Sequence, residues 1–415
     1  MHIAYLSSQY PCLSMTFVLR EVRALRALGW TIGVASVNDT DRPQERLSAH
    51  EREEAAQTFY VKRHLLLGGL HAHIRLLLCS PRRWLAGWAR VFRLSGYDLR
   101  RWGLQLAYFT EGLMVAHWMR ANGFTHLHAH LGSQASTVGL YVRDASACSF
   151  SITIHGPSEF FSVREHALAE KMAEADFVVC ISFFARSQMM LLSDRKRWPR
   201  LEVCRLGVDP QRFSPALRAA RVPGAGGFRI LSVGRLAPVK AQALLVDAVA
   251  RLHAEGVIIR LTLVGEGPDR AVIEAMVRQA QLEQVVVLAG GVNQDAILPY
   301  FADADCFCLP SFAEGVPVAL MEAMAVGVAC VSTYVAGIPD LIQDRRNGLL
   351  VPPGDLDSLV NALRELAAAP DWAAQLGEAG RAKVLADYHL ENNVAALASI
   401  FQRRLSALRP TQITP

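Results

Sequence analysis

The segment from residue 306 to residue 327 reads CFCLPSFAEGVPVALMEAMAVG and contains three structural signals in succession. Its first four residues are apolar, which predicts a buried strand ending at Pro310. A loop carrying Glu314 and Gly315 follows. The apolar run after Pro317 predicts a helix that begins near this proline, because proline is favoured at a first helical position. A strand, loop and helix in this order are half of a βαβ unit, so the segment predicts a parallel sheet covered by helices.

The same alternation continues on both sides of this segment and indicates two α/β halves. The predicted strands lie at 3–7, 31–36, 126–128, 151–154 and 177–181 in the first half and at 229–233, 260–264, 285–288, 306–309 and 328–332 in the second. The helix predicted from Phe17 to Leu28 ends before Gly29, a normal terminating residue. The predicted fold class is α/β, with two Rossmann-like, doubly wound domains.

The length of 415 residues also favours two domains. A Pro/Gly-rich passage at 221–227 lies between the halves, and we predict a linker between Val203 and Gly227. The predicted domains are 1–205 and 206–385, followed by a C-terminal helix at 386–415 that could cross back to the first domain. Ligands of open α/β sheets bind beyond the carboxyl ends of the strands, so two facing sheets would place a site in the cleft between them.

The composition describes a globular protein, because 52% of the residues are apolar and 20% are charged. The N-terminus has no basic segment followed by an apolar one, so we expect no secretory signal. Arg75 interrupts the apolar run at 65–78, so we expect no membrane-spanning helix. The eight cysteines form no CxxC pair. We expect them to be reduced core residues of a cytoplasmic protein, with Cys306 and Cys308 on opposite faces of their strand.

A basic helical insertion near 62–120 interrupts the alternation. Trp84, Trp88 and Trp102 occur there among many arginines, and apolar residues repeat at helical spacing. Two interpretations remain open: the region 82–102 makes a peripheral contact with the inner face of the membrane, or the helices pack on their own domain with solvated arginines. No nucleic-acid-binding motif is present, so we expect no nucleic-acid partner.

The loops that follow the predicted strands carry residues suited to a phosphorylated ligand. A helix N-terminus offers free backbone N–H groups to phosphate, and Gly315 allows the backbone to approach closely. Arg235 and Lys240 follow the first strand of the second half, and a glycine turn follows the next strand. A cation pair would neutralise a diphosphate as the bond to it breaks. Glu322 lies in an apolar helical run, which favours function over a solvated position.

The second half carries E-x7-E at Glu314 and Glu322, with GRLxxxK at 234–240, GEGP at 265–268 and GVDxxxFxP at 207–215. These motifs together resemble family 4 of the retaining glycosyltransferases, which have the GT-B architecture. In the first half, YPxxSxTF at 10–17, Glu21 and HAH at 128–130 resemble the branch that builds bacterial exopolysaccharide, colanic acid and lipopolysaccharide on lipid carriers. Many relatives have a paired-glycine loop after the first strand, and here residues 7–14 replace it.

The resemblance implies a hexosyltransferase that moves a sugar from a UDP- or GDP-sugar to a glycan or lipid-linked acceptor, without a metal or other cofactor. The N-terminal domain would be the acceptor side and the C-terminal domain the donor side. The implied catalytic residues are Glu314, His155, Arg235 and Lys240. The implied donor-binding residues are Glu322, Gly315, Val316, Pro317, Gly265 and Gly267, and the acceptor-side residues are Glu21, His128 and Ser14. In these roles Arg235 and Lys240 bind the diphosphate, Glu322 binds the ribose and Glu314 holds the sugar.

Several assignments have structural alternatives. His155 could only satisfy backbone groups, and Glu21 could be a surface salt-bridge partner. We expect His128 and His130 to face opposite sides, so that at most one reaches the site. Two other functions also stay open: an epimerase acting on sugar nucleotides, and a non-catalytic partner that docks on membranes. A dinucleotide-dependent enzyme is less favoured, because no GxGxxG opens a βαβ unit.

Overall fold

The computed structural model describes residues 1–218 and 226–408. The chain folds into two compact units: unit 1 contains Met1–Cys204 and the segment from Val394 onward, and unit 2 contains Arg205–Asn393. Most of the predicted Pro/Gly-rich passage, residues 221–225, lies outside the described residues. Each unit contains its own sheet and its own apolar core.

The strands of unit 1 are β1 His2–Gln9, β2 Thr31–Asn38, β3 Phe59–Tyr60, β4 His126–His130, β5 Ser149–Ile154, β6 Phe177–Cys180 and β7 Leu201–Val203. They form one parallel sheet in the order β3-β2-β1-β4-β5-β6-β7. Strands β2 and β3 are added on one side of β1, whereas β4 to β7 are added on the other side. The boundary between β1 and β4 is therefore the topological switch point, where open α/β sheets bind ligands. The five predicted strands are present, whereas the edge strands β3 and β7 are too short to leave a sequence pattern.

The helices of unit 1 that precede its C-terminal segment are α1 Thr16–Ala27, α2 Ala49–Gln57, α3 Leu65–Cys79, α4 Pro81–Ser95, α5 Leu99–Ala121, α6 Gln134–Ala145, α7 Pro157–Phe161, α8 Leu168–Glu174 and α9 Phe183–Leu191. Helix α1 buries its apolar stripe, ends at Ala27 and is followed by Leu28 and then Gly29, where φ is +81°. The amide of Trp30 then donates to the carbonyl of Leu25 at 3.1 Å. This bond closes the last turn and explains the predicted glycine stop.

Helices α3, α4 and α5 form the basic insertion. Trp84, Trp88 and Trp102 are partly buried against the core of unit 1, so the tryptophans pack on their own domain. Exposed apolar surface lies elsewhere in the insertion, and a continuous part of it is on α3, where Leu66 and Leu67 are 87% and 84% exposed. No helix in the described part of the chain has the length and apolar character needed to cross a bilayer.

The strands of unit 2 are β8 Phe228–Val233, β9 Ile259–Val264, β10 Val286–Gly290, β11 Cys306–Leu309, β12 Ala329–Thr333 and β13 Leu349–Val351. They form a second parallel sheet in the order β10-β9-β8-β11-β12-β13. The helices are α10 Gln242–Ala254, α11 Arg270–Gln279, α12 Leu298–Asp303, α13 Val318–Val326, α14 Ile338–Leu341, α15 Leu356–Ala368 and α16 Pro370–Asp387. The predicted α/β class with two Rossmann-like parallel sheets is confirmed.

The last described helix, α17 Leu390–Leu408, begins in unit 2 and continues in unit 1. Its Phe401 is fully buried in unit 1, with its ring against those of His126, His128 and Phe177. The helix begins later than residue 386, because α16 extends to Asp387.

The expectation that Cys306 and Cys308 face opposite sides of their strand is wrong. Both side chains lie in the same apolar cluster, while Phe307 between them stacks on Phe301. Residues two apart in a strand point to the same face. All eight cysteines are free thiols. Cys79 is exposed, so the expectation that every cysteine is a core residue is wrong for this one.

Candidate active site

Three loops of unit 2 meet where the adjacent strands β9, β8 and β11 end. They comprise residues 234–240 after β8, 265–269 after β9 and 310–317 after β11. The amide of Leu236 donates to the carbonyl of Glu266 at 2.9 Å, and the amide of Phe312 donates to the carbonyl of Val239 at 2.8 Å. Backbone hydrogen bonds therefore join the central loop to both neighbours.

The glycines after β9 are required by this close packing. A Cβ atom on Gly265 would overlap the carbonyl oxygen of Gly234, and one on Gly267 would overlap that of Leu236. Only glycine permits such an approach of two backbones. Glu266 between them accepts from Arg270 at 3.1 Å and from the amide of Gly291 at 3.3 Å, which is a structural role in the turn.

Glu314 and Lys240 form the most strongly connected polar contact of these loops. The Nζ of Lys240 lies 2.6 Å from Oε1 of Glu314, and the Ser311 hydroxyl donates to the same oxygen at 2.7 Å. The carbonyl of Ser311 in turn accepts from the hydroxyl of Thr333 at 2.6 Å. Glu314 is only 7% exposed, so its carboxylate is held in one position by a cation and a hydroxyl.

The loop after β11 leads directly into helix α13. Pro317 is the N-cap residue and the helix begins at Val318, one residue later than predicted. A Cβ on Gly337 would overlap the carbonyl of Gly315, so the loop lies against a second backbone. Glu322 lies in the second turn of α13 and is also only 7% exposed. The free N–H groups and positive end of this helix are suited to an anion.

Unit 1 carries a buried polar network at the ends of β4 and β5. The Tyr5 hydroxyl donates to Oε1 of Glu21 at 2.6 Å, and Nε2 of His130 lies 3.2 Å from the same oxygen. The other ring nitrogen of His130, Nδ1, lies 3.0 Å from Nε2 of His155. Glu21 is therefore buried in this network, and the alternative of a surface salt-bridge partner is wrong.

His155 follows the last residue of β5, and its ring packs on Phe17 with 4.4 Å between centroids. Its Nδ1 is buried and has no hydrogen-bond partner among the described residues. Burial, together with the neighbouring His130, holds the pKa of His155 well below its ordinary value. The ring is therefore neutral near pH 7 and presents an unsatisfied nitrogen, which is unusual for a buried polar atom.

The expectation that His128 and His130 face opposite sides is wrong, because residues two apart in a strand share a face. Their ring centroids lie 5.0 Å apart. His128 is bonded through Nδ1 to Ser151 at 2.7 Å and through Nε2 to Thr153 at 2.8 Å. Both ring nitrogens of His128 are thus engaged within the sheet, whereas those of His130 connect Glu21 to His155.

A second buried pair fixes the backbone around His155. Glu159 accepts from the amides of His155 and Gly156, each at 2.7 Å, and from the amide of Gly132. The Nζ of Lys171 donates to the carbonyl of Gly132 at 2.7 Å. Burial raises the pKa of Glu159 and lowers that of Lys171 to about 7. These bonds join the loop after β4 to the loop after β5.

Comparison with known proteins identifies the chemistry that these units perform. A family model described as "Glycosyl transferases group 1" matches residues 227–369, which include all three loops of unit 2. The amylovoran biosynthesis glycosyltransferase AmsK of Erwinia amylovora is 28% identical, and the match covers 97% of this chain and 100% of AmsK. The chain is a glycosyltransferase. Its predicted epimerase and non-catalytic alternatives find no support in these comparisons.

Two further comparisons describe the fold and the range of relatives. The structure of Anabaena Alr3699/HepE in complex with UDP-glucose superposes with a TM-score of 0.73 at 18% identity, covering 98% of this chain and 100% of that one, so the glycosyltransferase has the GT-B fold. A GDP-mannose-dependent phosphatidylinositol monomannoside mannosyltransferase of Mycolicibacterium smegmatis is 28% identical over 65% of this chain and 74% of its own length.

The glycosyltransferase brings most of its predicted site residues into two groups. In unit 2, the residues predicted for the donor side all lie on the three joined loops or on α13; these are Arg235, Lys240, Gly265, Gly267, Glu314, Gly315, Val316, Pro317 and Glu322. The side chain of Arg235 is exposed. In unit 1, Glu21 and His155 join one network, whereas Ser14 is exposed on a turn with its hydroxyl 3.5 Å from the thiol of Cys12.

Sequence reasoning missed the residues that hold this site in place. Ser311, Glu159 and Lys171 were not predicted. Glu159 stands three residues after Gly156, at the spacing of a helix capping box, and this signal could have found it. Lys171 lies in an ordinary helical pattern, and its burial depends on the fold alone.

The residues described here include a group with metal-ligand geometry, formed by Glu21, His128 and His130, whose ligand atoms lie within 4.8 Å of one another. The ring nitrogens of both histidines already have hydrogen-bond partners in the network and in the sheet. A metal ion would have to break these bonds, so the group fits a hydrogen-bonded relay better than a metal site.

Proposed function

We propose that this glycosyltransferase moves a sugar, with retention of configuration, from a UDP- or GDP-sugar to a glycan or lipid-linked acceptor in exopolysaccharide biosynthesis. Similarity to AmsK over its full length supports the pathway class. The UDP-glucose complex of the structural neighbour and the GDP-mannose dependence of the mycobacterial relative support a nucleotide-sugar donor and leave both bases as candidates.

The observation that carries the donor assignment is the pair formed by the buried Glu314 and the partly exposed Lys240 beside the N-terminus of α13. In this proposal Glu314 accepts hydrogen bonds from hydroxyl groups of the sugar, and Glu322 accepts them from the ribose. The helix N-terminus and the cations Arg235 and Lys240 hold the diphosphate. Buried carboxylates with fixed positions suit this task, because an ionised carboxylate only accepts hydrogen bonds and sugars offer several donors.

The chemistry needs no protein nucleophile. The bond between the anomeric carbon and the diphosphate oxygen breaks, and the acceptor oxygen bonds to the same face of that carbon. The acceptor proton passes to the departing phosphate oxygen, so charge and atoms balance. Arg235 and Lys240 stabilise the diphosphate as its negative charge increases, which lowers the barrier more than it stabilises the bound substrate. His155 would contact the sugar near the reacting bond.

A thermal-shift screen against UDP-, GDP- and ADP-sugars tests this proposal first. A ligand that binds only the folded protein stabilises it by about 2.7 kcal/mol at one hundred times its Kd, which is readily measured. Transfer to a lipid-linked acceptor by the donor that binds, with the product anomer assigned by NMR, then tests retention. Absence of stabilisation and transfer with all three donor classes, or an inverted product, would contradict the proposal.

We further propose that the insertion contacts an anionic membrane, through α3 as well as the predicted region 82–102. On α3 the exposed apolar residues share one face, because their positions repeat at helical spacing; they are Leu66, Leu67, Leu70, Ile74, Leu77 and Leu78. In the predicted region Leu85, Phe92 and Leu99 are exposed, with Arg82, Arg93 and Arg100 nearby in the sequence. Apolar side chains flanked by arginines favour the surface of a negatively charged bilayer.

Sedimentation with lipid vesicles tests this contact. The wild-type protein should bind vesicles that contain phosphatidylglycerol and bind phosphatidylcholine vesicles weakly. Replacing Leu66, Leu67 and Leu70 together by serine should abolish binding, whereas serine at the equally exposed Leu191 of α9 is the matched control. Equal vesicle binding by the triple variant and the wild type would exclude α3 as the contact.

A further inference from the structure

The polar network of unit 1 contains a chain of three side chains joined by hydrogen bonds. It runs from Glu21 on α1 through His130 at the end of β4 to His155 beyond β5, with 3.2 Å and 3.0 Å between the bonded atoms. We call these three residues the histidine relay. All three are less than 9% exposed, so water does not compete for their hydrogen bonds.

The proton positions along the relay follow from the chemistry of each group. Oε1 of Glu21 accepts from the Tyr5 hydroxyl, so Nε2 of His130 is the donor in the contact that it makes with the same oxygen. In the tautomer with its one N–H at Nε2, His130 has an acceptor at Nδ1. Nε2 of His155 must then donate to it. His155 is thereby left with a bare nitrogen at Nδ1, the buried atom that has no partner within the described chain.

We propose that Glu21 and His130 are positioning residues that fix His155 with its proton on Nε2, so that its Nδ1 accepts a hydrogen bond from a hydroxyl group of the sugar substrate. The identity of the hydroxyl's carrier rests on the proposed function. A bare ring nitrogen repels a phosphate oxygen and attracts a hydroxyl hydrogen, so the relay selects the sugar end of the donor or acceptor over its phosphates. The Phe17 ring, tilted by 32° against that of His155 at 4.4 Å between centroids, limits the orientations of the nitrogen.

NMR of the protein labelled with 15N-histidine tests the relay without any substrate. A bare ring nitrogen and a protonated one have well-separated 15N shifts, and a His155→Gln variant assigns the signals. We expect a bare Nδ1 and a protonated Nε2 on His155. In Glu21→Gln, which keeps the size of the side chain, the His155 signals should move towards a mixture of tautomers. The His128 signals are the internal control, since Ser151 and Thr153 hold that ring.

Kinetics gives the functional result. With UDP-glucose or GDP-mannose, whichever the protein binds, Glu21→Gln should lower kcat about 10- to 100-fold, the size expected for a lost charge-assisted hydrogen bond, with little change in donor KM. Three results would each overturn the relay: a proton on Nδ1 of His155 in the wild type, wild-type kcat in Glu21→Gln, or a spectrum that changes when EDTA is added.

If neither nucleotide sugar binds while the His155 tautomer is as expected, the relay stands and the proposed donor fails instead. Should Glu21→Gln not fold, the wild-type spectrum alone decides.

Discussion

Replacing Lys240 by methionine removes the ammonium group and keeps most of the side-chain stem. In the wild type that group lies 2.6 Å from the Glu314 carboxylate, which is only 7% exposed. The variant leaves this carboxylate buried with the Ser311 hydroxyl and no cation. Losing a hydrogen bond between a cation and a buried carboxylate costs about 1–3 kcal/mol, so the free energy of unfolding should fall by that amount. The loss of a cation that stabilises the leaving diphosphate should lower kcat by a further, separate effect of about 100- to 1,000-fold.

Chemical denaturation measures the first effect and donor turnover measures the second. Lys383 is the matched control, because its side chain is also 23% exposed and its Nζ lies 2.7 Å from Asp387. That pair is on the surface of α16, where such pairs contribute less than about 1 kcal/mol. Lys383→Met should therefore change stability little and turnover not at all.

A second variant separates stability from catalysis. Adding Glu314→Gln to Lys240→Met removes the stranded charge, so most of the lost stability should return while turnover stays low. Wild-type kcat in Lys240→Met would show that the Glu314–Lys240 pair is a structural contact without a role in turnover. Recovery of turnover together with stability in the double variant would lead to the same conclusion.

Three further predictions concern single positions. Glu322→Gln should weaken donor binding about 10- to 100-fold in a calorimetric titration, with little change in Tm, because a charged acceptor of ribose hydroxyls is lost. Gly267→Ala should lower the free energy of unfolding by about 1–3 kcal/mol in urea, since its Cβ would overlap the Leu236 carbonyl. Burial raises the pKa of Glu111 from 4.5 to about 7, so the folded state binds more protons than the unfolded state in that window and loses stability as pH rises through it. Glu111→Gln should then be more stable than the wild type by about 1–3 kcal/mol at pH 8 and equal to it near pH 4.5.

Each of these has a result that would count against it. Unchanged donor affinity in Glu322→Gln would remove the ribose role. Gly103→Ala is the control for Gly267→Ala, because no atom lies within 4 Å of its added Cβ, and equal effects at both positions would exclude the packing explanation. A stability difference between Glu111→Gln and the wild type that does not vary with pH would contradict the raised pKa.

The sequence predicts the parts of the molecule that depend on local pattern. Short apolar runs in the sequence predicted the inner strands correctly, because each inner strand is long enough to contain several β-branched or other apolar core residues. The motifs around Glu314, Arg235 and Gly265 predicted loops that the structure brings together, because the strands before them are adjacent in the sheet. Short edge strands such as Phe59–Tyr60 carry no such pattern and were missed.

Long-range partners could not be read from local pattern. The sequence left two roles open for Glu21, on the acceptor side or in a surface salt bridge, and only the sheet brings His130 to it from 109 positions away. Lys171 is buried because two loop carbonyls face its helix. The tryptophans of the insertion suggested an interfacial stripe, yet they pack inward and the leucines of α3 are exposed. Tertiary packing, which the local sequence pattern does not reveal, determines which of these helices covers the core.

Calorimetric titration of UDP-glucose and GDP-mannose into the wild type and three variants tests the donor site most directly. We expect one of the two nucleotide sugars to bind the wild type and Lys383→Met with equal affinity, and to bind Lys240→Met and Glu322→Gln at least about tenfold more weakly. Equal affinity in all four proteins would contradict the assignment of the donor to the loops of unit 2.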